Sequence, residues 1–190
     1  MLASNHLIGF GAASDAGVWT SVFSNSPGTD NAGYISYTVV QFIPQASISA
    51  TGGTQVRLTL KNPASVGHVI GAMYIGQASA GYTATSPAFA ATPTQITFAG
   101  GASGYTVGAG AGDTLSDAVS FVMPSSNGLA IAWQYSATAS TLVTSASGTP
   151  SGGKVSYKNA SDASTVAKSG YTDFSASAGG GNVKLVEELI

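Results

Sequence analysis

Residues 108–117, GAGAGDTLSD, place two hydroxyl groups, those of Thr114 and Ser116, between two carboxylic acids in a glycine-rich stretch. A threonine hydroxyl such as that of Thr114 can act as a nucleophile when a histidine takes its proton during the attack. The chain contains two histidines, His6 and His68, and both precede Thr114. No Asp-x-x-His sequence occurs. We therefore interpret the segment as a glycine-rich turn closed by aspartate side chains, and we expect no catalytic residues and no enzyme activity.

The same acidic residues are candidate metal ligands. Asp113 and Asp117, with Asp15 and Asp30 elsewhere in the chain, offer the carboxylate oxygens that calcium prefers. Their spacing is not that of an EF-hand loop, and aspartate is common in turns because its side chain bonds its own backbone. The two histidines lie far apart in sequence, and His68 begins an apolar segment. We therefore favour turn-forming roles for the aspartates and expect no metal and no cofactor.

The composition excludes several classes of function. Charged residues make up only 7% of the 190-residue chain, against about 25% in an average soluble domain. Hydrophobic residues make up 44% and the net charge is -2, which is not the composition of a disordered chain. Six Lys and Arg residues cannot form a basic stripe for nucleic acid. The chain has no cysteine, and no apolar stretch reaches the ~18 residues of a membrane span, so we expect no membrane insertion.

The dominant hydrophobic period is two, which is typical of strands that bury one face. In GLAIAWQYS, large side chains alternate with Ala, Gln and Ser, which predicts a half-buried strand with Trp133 in the core; TQVRLTLKN repeats the pattern. The segment 34–43, YISYTVVQFI, is apolar on both faces and predicts a central strand or one covered by a neighbour. Glycine- and proline-containing clusters such as SNSPGTDNAG and PSSNG predict turns. Further strands are predicted at 67–76, 94–100, 117–123, 154–158 and 182–189.

The number and spacing of these segments predict the fold class. About nine or ten short strands without a convincing helix predict an all-β, jelly-roll-like antiparallel β-sandwich. We predict a single domain over residues 1–190. Residues 136–153 are rich in Ser, Thr and Ala and predict a long loop, or the division before a small C-terminal β-element that begins at about residue 150.

Residues 54–136 resemble the non-catalytic β-sandwich domain that precedes the catalytic domain in some bacterial GDSL-type esterases. The resemblance lies in the order of strands and turns in TQVRLTLKNPASVGHVIGAMYIG and ITFAGGASGYTVGAGAGDTLSDAVSFVMPSSNGLAIAWQY. GDTLSD is itself similar to the Gly-Asp-Ser-Leu-Ser nucleophile block of those esterases, with Thr114 in the place of the serine. The resemblance implies a jelly-roll-like sandwich. It transfers no catalytic residue, because it does not extend to the catalytic domain.

Two features bear on sugar chemistry. Glu187 and Glu188 are adjacent and would point to opposite faces of a strand, so they cannot act as the paired carboxylates of a glycosidase. Exposed aromatic rings, in contrast, could stack on the apolar face of a sugar, although each of them could equally fill the core or a subunit interface. The candidate rings are those of Trp19, Tyr34, Tyr37, Tyr82, Tyr105, Tyr157 and Tyr171.

In general character the chain resembles small structural proteins of tailed bacteriophages: capsid decoration (cement) proteins, fibres and tail components. The features that carry the resemblance are the low charge, the absence of cysteine and of a catalytic constellation, and an N-terminus without a signal-peptide pattern. The resemblance implies assembly in the host cytoplasm into a virion, contacts with other virion proteins and a homo-oligomer. The terminal VKLVEELI could then pair with the sheet edge of another subunit. The alternative is an extracellular carbohydrate-binding or adhesion module that binds a cell-surface glycan receptor.

Overall fold

Two antiparallel β-sheets packed face to face make up the protein. The computed structural model describes residues 17–32, 36–49, 52–62, 67–136, 141–145, 151–174 and 183–190. Within these ranges there is no α-helix, only a 3-10 turn at Gln45–Ser47. The arrangement confirms the predicted antiparallel β-sandwich.

The strands fall into two large sheets and one two-stranded ribbon. The five-stranded sheet contains β1 (Trp19–Ser24), β4 (Gln55–Leu60), β8 (Thr114–Leu115), β9 (Val119–Ser120) and β14 (Val183–Leu189). The seven-stranded sheet contains β3 (Tyr37–Ile43), β5 (His68–Gln77), β6 (Thr94–Ile96), β7 (Tyr105–Val107), β10 (Leu129–Tyr135), β12 (Lys154–Asn159) and β13 (Thr172–Asp173). The ribbon consists of β2 (Pro27–Ala32) and β11 (Thr141–Ser145).

The strand order is that of a jelly roll. The strand order of the five-stranded sheet is β1-β14-β4-β8, and β9 also pairs with β4. The strand order of the seven-stranded sheet is β13-β12-β3-β10-β5-β6, and β7 also pairs with β5. The chain crosses between the sheets from β3 to β4, from β4 to β5, from β7 to β8, from β9 to β10 and from β13 to β14. This alternation produces the two interlocked antiparallel sheets of a jelly roll. The described residues form fourteen strands and not nine or ten, because segments expected to be turns or loops contribute strands such as β2, β8 and β11.

The core follows the period of two. On β4, Val56, Leu58 and Leu60 are fully buried, while the residues between them are half-buried. On β10, Trp133 and Tyr135 are fully buried and their rings meet edge to face, with centroids 6.4 Å apart. These strands confirm the predicted alternation and the core position of Trp133, because side chains two residues apart share one face of a sheet.

The outer face of the seven-stranded sheet is buried as well. Two segments, the covering loops 78–93 and 160–171, lie over it and are joined by a hydrogen bond of 2.8 Å from the Phe89 N–H to the Val166 carbonyl. Beneath them Ala130 and Ala132 are buried, so the prediction that β10 is half-buried is wrong. Alternation alone could not show this, because alanine is small enough to face either solvent or a covering loop. The strand β3 lies between β12 and β10, which confirms that 34–43 contains a central strand.

Three other expectations need correction. The terminal VKLVEELI forms β14, which pairs with β1 on one side and β4 on the other, so it offers no edge to another subunit. Residues 27–32 were expected to form a turn, and 141–145 a loop, but they pair as β2 and β11. Their pairing partners are distant in sequence, and such context overrides local β-propensity. No helix in the described ranges is long and apolar enough to cross a membrane.

Candidate functional site

The GDTLSD segment is a short edge of the five-stranded sheet. β8 pairs with β4, and the Thr114 hydroxyl accepts a hydrogen bond of 2.8 Å from the amide of Asn62. The same amide donates to the Gly112 carbonyl at 2.5 Å, and the Asn62 oxygen accepts from the Tyr105 hydroxyl at 3.3 Å. Asn62 is 2% exposed. Its amide therefore holds the Thr114 segment in place, and among the described residues no base contacts the Thr114 hydroxyl.

Replacing Asn62 with alanine should lower the free energy of unfolding by about 2–4 kcal/mol. The substitution removes the buried amide of Asn62, which donates to the Gly112 carbonyl and to the Thr114 hydroxyl and accepts a bond from the Tyr105 hydroxyl. Urea denaturation followed by tryptophan fluorescence measures the loss. Thr114→Val is the matched control, since it removes only one of the three bonds; equal losses in the two variants would contradict the central role of Asn62.

The two aspartates of the segment bind groups elsewhere in the protein. The Asp113 carboxylate lies 2.5 Å from the Lys184 ammonium and 3.9 Å from that of Lys61. The Asp117 carboxylate accepts the backbone N–H groups of Gly100 and Gly101 at 2.9 and 2.8 Å. These bonds and one from the Thr97 side chain lower the pKa of Asp117, with the Gly100 bond as the largest cause. Asp117 therefore secures a distant turn, and the expectation that it bonds its own backbone is wrong.

The turn that Asp117 binds needs glycine. Gly100 and Gly101 have φ angles of +82° and +122°, which L residues with a Cβ rarely adopt. Both amides point at one carboxylate as a result, and consecutive N–H groups of this kind form a concave anion-binding nest. In this protein the anion is the protein's own aspartate.

The described residues do not bring the candidate metal ligands together. No group of three or more His, Asp or Glu side chains lies close enough within the described ranges to hold a metal ion. Asp30 lies on β2, and His68 begins β5. His6 and Asp15 lie outside the described residues. Glu187 and Glu188 lie on opposite faces of β14, as predicted: Glu188 is fully buried and Glu187 faces outward.

Most of the aromatic side chains suggested for sugar stacking pack against other side chains. Tyr171 is buried and its hydroxyl donates to Asp162 at 2.5 Å, while Tyr82 stacks on Phe42 with ring centroids 4.6 Å apart. The other described rings also have aromatic or cationic neighbours. Tyr105 lies against Phe98, Tyr157 lies between Tyr37 and Phe174, and Trp19 lies beneath Arg57. Tyr34 is outside the described residues.

An open groove of about 470 Å³ lies beside β6 and β9, where the two sheets meet. None of the described residues that line it is charged, and Phe121 is the one aromatic residue among them. The lining is made of hydroxyl, amide and small apolar groups, among them those of Thr54, Gln77, Thr92, Ser120 and Val122. None of the proposed stacking residues lines this groove.

The solvent side of the five-stranded sheet, here called the outer face, carries the most distinctive surface. It combines three leucines and an aromatic ring with an ion pair and polar side chains. The register of the sheet places on it Trp19, Ser21, Gln55, Arg57, Thr59, Leu115, Leu185, Glu187 and Leu189. Leu115 is 50% exposed. Among the described residues, no cluster of buried side chains covers this face as the covering loops cover the other sheet.

A fixed charge pair lies at the centre of the outer face. The Arg57 guanidinium binds both oxygens of the Glu187 carboxylate, at 2.8 and 3.1 Å. It also lies 4.2 Å from the centre of the Trp19 ring, a cation–π distance. The bidentate pair and the ring hold one another in a single arrangement, so this part of the face is organised before any partner binds.

The sequence did not point to the outer face. For Trp19 the sequence leaves a sugar platform, the core and a subunit interface open, and for Glu187 it excludes only a role in a carboxylate pair. What brings these residues together is the insertion of β14 between β1 and β4, which joins residues far apart in the chain. The alternation of leucines with charged residues in VKLVEELI was the one available signal. Compared with known proteins, the chain matches no protein-family model and no curated protein sequence.

Proposed function

We propose that the protein is a non-enzymatic structural component of a tailed-phage virion, a capsid decoration (cement), fibre or tail protein that binds neighbouring subunits. The observation that carries the proposal is the outer face. The jelly roll supports it, since viral capsid domains use this fold, although lectins use it too. Because one fold serves many functions, the argument depends on the surface and not on the fold.

The outer face has the composition of a protein–protein contact. Trp and Arg are the residues most enriched among those that contribute most to binding energy at interfaces, and here Trp19 and Arg57 lie in contact. Around them are Leu185, Leu189 and the exposed Leu115. The bidentate Arg57–Glu187 pair at the centre gives such a contact geometric specificity, and the leucines around it offer apolar area to a partner. A neighbouring virion protein that covers this face would remove the exposed leucine from water.

The structure does not support a subunit contact at the segment 34–43. The second apolar face of 34–43 suggested burial against a neighbouring subunit. In the described part of that segment, Val40 is buried in the cluster beneath the covering loops, which belong to the same chain. The proposal therefore rests on the outer face and no longer on β3.

A carbohydrate-binding module is the second candidate, and the groove beside β6 and β9 is the observation that favours it. An uncharged lining of hydroxyl groups, the Gln77 amide and the Phe121 ring is chemically suited to a neutral sugar. This function is compatible with a place in a virion, where the module would bind a receptor glycan on the host surface.

The contact is tested on particles produced from the genome that encodes the chain. We expect peptide mass spectrometry and antibody labelling to find the protein on purified particles. Leu115→Asp should lower its retention on the particles at least tenfold, since it places a charge at an apolar contact. Val166→Asp is the matched control, because Val166 is also exposed but lies on a covering loop at the other sheet. The Val166→Asp protein should be retained on the particles about as well as the unmodified protein.

Two results would count against the contact. Particles that lack the protein would overturn the virion function, and equal retention of both variants would overturn the role of the outer face. A glycan array probed with the unmodified protein distinguishes the second candidate: binding to a neutral glycan that Phe121→Ala abolishes, together with absence from particles, would favour the carbohydrate-binding module.

A further inference from the structure

The β2–β11 ribbon stands apart from both large sheets. In the described ranges its two strands pair with each other and with no other strand. The register pairs Thr141 with Ala32 and Val143 with Asp30. Among the described residues, the ribbon is therefore a two-stranded element with no strand paired to either of its outer backbone edges.

The two strands of the ribbon are the chain neighbours of β3 and β10, the two central strands of the seven-stranded sheet. β2 precedes β3 and β11 follows β10, and β3 and β10 are themselves antiparallel neighbours, with Thr38 opposite Gln134. The register of the ribbon differs from that of the β3–β10 pair by a single residue. The flanking strands stop earlier, since β12 pairs with β3 only as far as Tyr37 and β5 pairs with β10 only as far as Tyr135. The ribbon thus begins where its neighbours in the sheet end.

An element of this kind is incomplete by itself. An isolated pair of strands is at best marginally stable in water. Each open edge presents unpaired N–H and C=O groups, which favour the addition of another strand. The ribbon gains stability when a further strand joins one of its edges.

The two edges differ in their protection against such addition. β2, PGTDNA, contains a proline, a glycine and an aspartate, and these residues discourage strand pairing at an edge. β11, TLVTS, contains no proline, glycine or charge and is rich in β-branched residues, which favour strands. The β11 edge is therefore the one that accepts a strand.

We propose that β11 pairs antiparallel with β11 of a second copy of the chain, forming a four-stranded sheet in the order β2-β11-β11-β2 around a two-fold axis. In such a pairing each strand faces its own copy, so any charged residue near the axis would face a like charge and weaken the pair. The β11 sequence carries no charge, so the strand is complementary to itself. This inference goes beyond the proposed function, because it concerns a different surface and a different partner from the outer face.

The chain lacks cysteine, which allows a direct test. Single cysteines are introduced in turn at the five positions of β11, Thr141–Ser145, and the protein is oxidised in dilute solution. Opposed residues of an antiparallel pair have Cβ atoms about 4.5–5.5 Å apart, close enough for a disulfide to form with a small adjustment. We expect one position, the residue nearest the two-fold axis, to yield mostly disulfide-linked dimer, because only that residue lies opposite its own copy. Thr29→Cys, on the β2 side of the same ribbon, is the matched control and should remain monomeric.

Equal yields of dimer at all β11 positions and at Thr29→Cys would overturn the proposal. Light scattering provides the second measurement, because we expect the unmodified chain to have at least twice the mass of one copy and Val143→Lys to have half of that mass. An unmodified chain that is monomeric at micromolar concentration would also overturn it. Retention on particles is measured separately with Leu115→Asp, so failure of the ribbon pairing and failure of the virion function are distinguishable.

Discussion

Replacing Trp133 with alanine is expected to lower the free energy of unfolding by about 3–5 kcal/mol. Trp133 is among the largest fully buried side chains of the core and lies on β10, the strand between β3 and β5. Removing the indole leaves a cavity between the two sheets and deprives the Tyr135 ring of its edge-to-face partner. Urea denaturation followed by circular dichroism measures the change, since the fluorescence of Trp133 is lost in the variant.

Trp133→Phe is the matched control for this prediction. The indole N–H is buried and has no hydrogen-bond partner in the described part of the chain. Phenylalanine fills much of the same volume and removes this unsatisfied donor, so the loss should be less than about half of that for alanine. Equal losses for the two variants would show that the cavity is not the cause.

The second large effect is a rise in stability between pH 8 and 10, which Lys168 produces. Lys168 lies under the covering loops with 5% of its surface exposed, over the Phe89 ring and with its ammonium donating to the Thr165 carbonyl. Burial lowers the pKa of Lys168 from 10.5 to about 8, although the nearby Asp162 acts in the opposite direction. Between these two values the unfolded chain binds a proton that the folded chain does not, so raising the pH favours the folded state. The full gain is about 1–3 kcal/mol.

Above pH 10 the buried tyrosines reverse this trend. Burial raises the pKa values of Tyr82, Tyr105 and Tyr171 above 10.0, and for Tyr171 the bond to Asp162 adds to the effect. The unfolded chain then loses protons that the folded chain retains, and stability falls as the pH rises further. Urea midpoints measured from pH 7 to pH 11 should therefore pass through a maximum between about pH 8 and 10. Lys168→Met should abolish the rise and retain the fall; a variant that keeps the rise would contradict the assignment to Lys168.

The period of two was sufficient to predict the class of the fold and much of the core. Val56, Leu58 and Leu60 alternate with polar residues, and the pleat of a strand requires that such residues share one face. The covering loops 78–93 and 160–171 could not be predicted in this way, since irregular segments have no period. Without them, Ala130 and Ala132 looked like solvent-facing residues.

Local sequence patterns could not predict which distant segments of the chain pair with each other. PGTDNA has the composition of a turn and becomes a strand only because TLVTS, far along the chain, pairs with it. The outer face has the same origin, since Trp19, Arg57 and Glu187 come from three strands that are widely separated in sequence. For GDTLSD, the sequence predicted a turn closed by its own aspartates, but Thr114–Leu115 form the short strand β8 and Asp117 instead secures the turn at Gly100 and Gly101.

The interior position of β14 has a consequence for how the protein is made. β1 and β4 pair with β14 and not with each other, so the five-stranded sheet cannot close until residues 183–189 have left the ribosome. Until then β1 has no neighbour within this sheet, and the apolar side chains Val56, Leu58 and Leu60 face a core that is only partly enclosed. Folds that depend on such distant contacts form slowly, and their partly folded states expose unpaired strand edges. Synthesis of β14, and not of β1, therefore sets the time at which the five-stranded sheet can form completely.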